Sequence, residues 1–134
     1  MDNELVSVII PSYNRFKYLL NAIKSVKVQT YKNVEIIVVN DCSTQKEYYE
    51  YDFTKEFGDN LKIINLEENS RKKYKIPSPA ANARNVGIEK SKGQYIAFLD
   101  DDDVWLPDKL EIQIKTMKEK GYDMAASQSY MGQG

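Results

Sequence analysis

Histidine is absent from the 134 residues. That removes the commonest general base near neutral pH, the usual zinc ligand, and every Ser-His or Cys-His nucleophilic pair. Cys42 is the sole cysteine, which excludes an internal disulfide and accords with a reducing compartment. Neither sign of charge is in excess: 19 basic residues face 20 acidic ones, for a net charge of −1. No global field therefore draws the chain to nucleic acid or to an anionic membrane. No apolar run approaches ~18 residues, so no helical membrane span is expected. The opening MDNELVSVIIPSYN has neither the basic start nor the cleavage site of a secretory signal, and a cytoplasmic location follows as the expectation. Chemistry is left to carboxylates, lysine, arginine, tyrosine or a bound cation.

What is present reads as one α/β domain over residues 1–134. LVSVII (residues 5–10), VEIIVVN (34–40) and YIAFL (95–99) are nearly continuous apolar runs, the pattern of strands covered on both faces. LKIINL (61–66) is a weaker strand, and YDMAAS (122–127) reads as a last one. Helical patterns lie between them. RFKYLLNAIKSVKVQ follows Asn14, a candidate N-cap. QKEYYEYDFTKEFG reads as one helix stopping at Gly58. PAANARNVGIEKSKG is helical up to Gly93, with Gly87 as an interior weakness, and LPDKLEIQIKTMKEKG places proline in its first turn. The gap EENSRKKYKIPSP (67–79) is polar and basic, and is expected to be a mobile surface loop. Strands alternating with helices imply a mainly parallel sheet, whose ligands bind outside the carboxyl ends of the strands.

Three segments leave the three strong strands: PSYNR (residues 11–15), NDCST (40–44) and the run Asp100 to Asp103. Asn14, Asp41, Ser43 and Asp103 are all ordinary capping or turn residues, so each segment has a plain structural reading. Contiguous aspartates exceed what one cap needs. At ~4 Å and an effective dielectric near 20, each like-charge pair costs roughly 4 kcal/mol before screening. A hard divalent ion, Mn²⁺ or Mg²⁺, answers that repulsion with carboxylate ligands, phosphate and water. The spacing lacks the alternating ligands and glycine of an EF-hand, so a calcium cage is disfavoured.

Taken together, VSVIIPSYNR, VEIIVVNDCST and ANARNVGIEKSKGQYIAFLDDDDVWLPDKLE resemble the N-terminal half of a family 2 glycosyltransferase with the GT-A fold. The resemblance implies a Rossmann-like sandwich that binds a nucleotide-diphosphate sugar at its strand ends, for transfer to a glycan or lipid-linked acceptor. In that pattern Pro11, Tyr13 and Arg15 would lie on or near the base and diphosphate, and Asp41 would accept from a base N–H. Arg84 would sit near base and phosphates, while Asn85 and Gly87 let their helix approach closely. The aspartate run stands at the family's DxD position. Asp102 is the expected metal contact, Asp100 or Asp101 the contact to ribose or a metal-bound water, and Asp103 a cap for a helix beginning near Leu106. Trp105 and Pro107 are read as a core anchor and a helix start. A uridine donor and a peripheral membrane association of the full-length enzyme are further implications of the family.

Two departures stand out. NDCST carries asparagine for the family's first acid and cysteine for its usual glycine, and Cys42 is read as a small turn residue. The carboxylate base of inverting members lies well beyond the DxD position, so no catalytic residue is expected in this chain and the acceptor half is expected to be missing. A nucleotidyltransferase would carry a glycine-rich phosphate loop after the first strand, which PSYNR is not. A stand-alone nucleotide- or metal-binding module is the other competing class, and a phosphoacceptor receiver-like domain is argued against by the contiguous aspartates.

Overall fold

The computed structural model describes residues 4–69 and 80–120. The expected strand at 122–127 and most of the expected loop, residues 70–79, lie outside the described residues. Four strands, β1 (Val6–Ser12), β2 (Val34–Asn40), β3 (Leu61–Asn65) and β4 (Tyr95–Phe98), form an all-parallel sheet in the order β3-β2-β1-β4. The helices are α1 (Phe16–Lys27), α2 (Glu47–Glu50), α3 (Phe53–Phe57), α4 (Ala80–Lys90) and α5 (Lys109–Lys120). Successive strands step outward from β1 to β3, and the chain then crosses back to place β4 on the other side of β1. That reversal makes the carboxyl ends of β1 and β4 the switch point of the sheet.

Every residue of β1 is buried, as its unbroken apolar run requires of a central strand covered on both faces. Val6, Val8 and Ile10 join Leu19, Ile23 and Val26 of α1 and Leu110 and Ile114 of α5 in the larger core. Ile9 points the other way, to a smaller core with Ile37, Val39 and Ala83 of α4. Gly87 is what lets α4 sit so close, since a Cβ there would lie 2.5 Å from Cγ2 of Ile9.

The ladder of β1 alternates. Even-numbered residues bond toward β2 (Val6 N to Asn33 O, Asp41 N to Ser12 O), and odd-numbered ones toward β4 (Tyr95 N to Leu5 O, Leu99 N to Ile9 O). Pro11 is the next odd residue, and it has no N–H to give. Beside it the β1–β4 pairing ends while β1 still runs alongside β2 as far as Ser12 opposite Asn40. The two strands fork there, and the fork holds the cleft.

Several local expectations change. Asn14 does not cap α1. It adopts φ 51, and its Oδ1 accepts from the backbone N–H groups of Thr44 (2.8 Å) and Gln45 (3.1 Å), bracing the turn after β2. The N–H groups at the start of α1 are met from the segment after β2, Arg15 N by the Tyr48 hydroxyl of α2 and Phe16 N by Gln45 Oε1. The single helix expected through residues 45–58 is two, because Asp52 accepts from Lys55 N and starts α3 afresh. Asp103 does not cap a helix near Leu106. The α5 helix begins at Lys109, and buried Gln29 accepts from Leu110 N while donating to Leu106 O.

Candidate active site

Past the fork lies a cleft of about 320 Å³ lined by Pro11, Ser12, Tyr13, Arg15, Asp41, Ala83, Asp100, Asp101 and Asp102. Seven of the eight residues expected at the site therefore share one cavity. The eighth, Arg84, stands beside it, its Nη2 3.1 Å from Asp100 Oδ1 and its guanidinium 5.6 Å from the centre of the Phe98 ring. Each element contributes through its carboxyl end: β1 the Pro11–Arg15 turn, β2 Asp41, and β4 the aspartates.

The aspartates divide by direction, three against one. Asp101 turns inward. It is buried, and its Oδ2 accepts from Ser12 Oγ (2.8 Å) and from Tyr13 N (3.3 Å). Burial pushes its pKa above the ordinary aspartate value, with the Asp102 charge adding a little, while the Ser12 hydroxyl, the Arg15 charge and the Tyr13 N–H pull it down. Asp100, Asp102 and Asp103 turn outward and bring one carboxylate oxygen each to within 4.8 Å of one another. Burial, then the charges of Asp102 and Asp100, raise the Asp103 pKa as well. Arg15 Nη1 lies 2.8 Å from Asp102 and 3.5 Å from Asp101, so arginines on both sides offset part of the repulsion.

The outward group suits a hard divalent ion: every donor is a carboxylate oxygen, and no histidine or thiol competes. The inward turn of Asp101 leaves Asp100 and Asp102 facing the cleft on either side of it. Asp41 forms the opposite wall, buried beside β1, its own carbonyl oxygen accepting from Asn69 Nδ2. Cys42 follows at φ 59, the left-handed region that glycine enters freely, and its thiol faces Glu67 O at 3.5 Å.

Two residues of the site carried no sequence signal of their own. Ser12 bridges Asp101 and the Tyr48 hydroxyl, the latter at 2.6 Å. Tyr48 is almost fully enclosed in α2, and its hydroxyl also accepts from Arg15 N. It lies in a run of tyrosines whose periodicity marks a helix but not which ring turns inward.

Residues 7–134 match the model of glycosyl transferase family 2. The chain belongs to this family. An uncharacterized glycosyltransferase of Rickettsia bellii is 41% identical to this family 2 chain over 117 residues, 87% of the chain and 16% of that protein. The UDP-Glc:alpha-D-GlcNAc-diphosphoundecaprenol beta-1,3-glucosyltransferase WfgD of Escherichia coli is 41% identical over 118 residues, 87% of the chain and 42% of WfgD. The chain thus spans less than half the length of these relatives. S. aureus TarS 1–349 in complex with UDP-GlcNAc superposes with a TM-score of 0.69 at 31% identity, covering 85% of the chain and 31% of TarS 1–349. PcManGT of Pyrobaculum calidifontis, a mannosyltransferase in complex with GDP-Man and Mn²⁺, gives 0.70 at 23% identity over 84% of the chain and 32% of PcManGT, a likeness of fold alone. The fold of this family 2 chain is GT-A. Among the described residues no helix is long and apolar enough to cross a membrane.

Proposed function

We propose that this chain holds the donor of a glycosyltransferase that moves a sugar from a nucleotide-diphosphate sugar to a glycan or lipid-linked acceptor. On this reading the donor is a UDP-sugar, the reaction inverts the anomeric centre, and a Mn²⁺ or Mg²⁺ ion is required. The observation that carries the reading is the cleft itself, which sets the outward carboxylates of Asp100 and Asp102 across a β1 turn from Asp41. Uridine is supported by the names of two similar proteins, WfgD with UDP-Glc and TarS with UDP-GlcNAc.

The residues divide the work. Asp41 accepts from an N–H of the base, a task a carboxylate performs well and one that keeps it away from phosphate. Tyr13, 45% exposed at the mouth, offers its ring to the base, and Pro11 forms the adjoining wall. Arg15 and Arg84 turn donors toward the diphosphate, Asp100 meets the ribose, and Asp102 leads the ligands of the ion. A divalent ion bound there supplies Lewis-acid neutralisation of the leaving diphosphate. Asp101, enclosed and bonded to Ser12, keeps the β1 turn and the aspartate run in register. None of these carboxylates is left to deprotonate an acceptor hydroxyl, so the general base lies outside these residues.

Calorimetric titration of UDP, GDP and CDP, with Mn²⁺ and with chelator, tests the reading. UDP binding that needs Mn²⁺ and is lost in Asp102→Ala, but largely kept in Asp103→Ala, whose carboxylate stands at the edge of the group and does not line the cleft, is the expected result. Full UDP affinity in chelator, or equal affinity of both variants and the parent, overturns the metal assignment.

A further inference from the structure

The aspartates are not bare. Asp102 is held by Arg15 at 2.8 Å and Asp100 by Arg84 at 3.1 Å, so carboxylates that suit a cation already face the protein's own cations. Both arginines retain freedom to move, with side chains 52% and 40% exposed. Among the described residues Arg84 is also imperfectly satisfied, since its buried Nε has no hydrogen-bond partner there. A guanidinium gains from moving to where all its donors are met.

We infer that Arg15, seconded by Arg84, competes with the divalent ion for the aspartates and exchanges partners when donor and ion arrive together. This rests on the donor-site reading above. The exchange conserves charge locally: the ion replaces the guanidinium groups at Asp100 and Asp102, and the diphosphate replaces the carboxylates at the arginines. Bidentate guanidinium–phosphate pairing matches or exceeds the single contact given up at Asp102. The ion alone must displace arginines that then have no anion to go to. The nucleotide alone meets arginines already engaged by aspartates. Each ligand therefore binds weakly alone and strengthens the other, a reciprocal coupling.

Arg15→Gln separates this from simpler roles, because the exchange predicts opposite effects on two affinities. Mn²⁺ titrated alone into the 134-residue chain should bind about two- to fivefold tighter in the variant, the size of an exposed ion pair. UDP titrated in saturating Mn²⁺ should bind about tenfold weaker, for loss of a charge-assisted phosphate contact. Lys17→Gln removes a charge of the same sign two positions along the chain that has no described bond to the aspartates, and should leave both affinities close to the parent. Unchanged or weaker Mn²⁺ binding by Arg15→Gln overturns the exchange, as does an equal gain in Lys17→Gln. If the parent chain binds no UDP in Mn²⁺, it is the donor-site reading that fails; if it binds UDP but Arg15→Gln leaves the affinity for Mn²⁺ alone unaltered, only the exchange fails.

Discussion

At the scale of single residues, Tyr48 links most of the site. Its hydroxyl joins Ser12, and through it Asp101, to the backbone of Arg15, so one buried phenol spans the turn after β1 and the aspartate run. Tyr48→Phe keeps the ring and its edge contact with Phe16 but leaves Arg15 N without its acceptor. A loss of about 1–3 kcal/mol in urea denaturation is expected. The phenol also predicts a pH signature. Burial chiefly raises its pKa, so the folded state keeps the proton after an unfolded tyrosine, near pH 10, has begun to lose it. Stability from this group is full below about pH 10 and is lost as pH rises from there through the folded value. The alkaline fall in the urea midpoint should be shallower in Tyr48→Phe than in the parent; equal slopes would show that other groups set it. None of this was legible in the sequence. Which aspartate turns inward depends on Ser12, 89 positions away, and such a pairing leaves no local pattern. Reading strand ends did bring Pro11, Tyr13, Arg15, Asp41 and Asp100 to Asp102 to one place, because a parallel sheet puts all its carboxyl ends on one side.

At the scale of elements, legibility followed how strongly local chemistry decides the outcome. The strands β1 and β2 were plain from unbroken β-branched runs, and α1 from its period. The division between α2 and α3 was hidden, because neither Pro nor Gly marks Tyr51 and Asp52; the break is made by an Asp52 side chain that satisfies a new helix start better than it continues the old one. Likewise Asn14, a capping type, serves the turn after β2, and Gln29, just past α1, reaches Leu106 and Leu110 as well as Ser25 of its own helix. Gly87 is a weakness of α4 by propensity, and it provides the close approach that the family resemblance implied. Gly87→Ala should gain up to ~1 kcal/mol in helix propensity and lose roughly 1–3 kcal/mol to overpacking against the fully buried Ile9. A net loss is expected, read as a lower urea midpoint. Because Ile9 O accepts from Leu99 N just before the aspartates, a displaced Ile9 should also weaken UDP binding. A variant as stable as the parent would show that α4 can shift at no cost.

At the scale of the whole molecule, a sheet with one reversal of strand order gathers the Asp41 wall, the aspartate wall and a shared β1 turn. The proposed division of labour makes a negative prediction. The 134-residue chain should bind UDP in Mn²⁺ yet transfer no sugar when incubated with UDP-sugars and mixed glycan or lipid acceptors, as read by mass spectrometry. General-base help is typically worth ~10²–10⁴-fold in rate, and positioning of the acceptor several kcal/mol more. Multiple-turnover transfer would place the base within these residues. Slow hydrolysis of the donor by water would not, since it needs no positioned acceptor.

The fork beside Pro11 has a cost and a benefit that can be separated. A sheet gains from zipping as far as its strands allow, and an imino acid at this rung is a stop in the zipper. With Pro11→Ala, the alternation of the ladder aims a new N–H at the β4 side, where the aspartates begin. The added rung is worth ~0.5–1.5 kcal/mol, and the freer unfolded chain takes back ~0.4–1 kcal/mol. Overall stability should barely move. What should change is the aperture: the new amide should resist hydrogen exchange while UDP affinity falls. An amide that exchanges freely, with UDP binding intact, would mean that the cleft is held open by its carboxylates and not by the proline. If the rung forms, one residue without a proton keeps the molecule from sealing its own site.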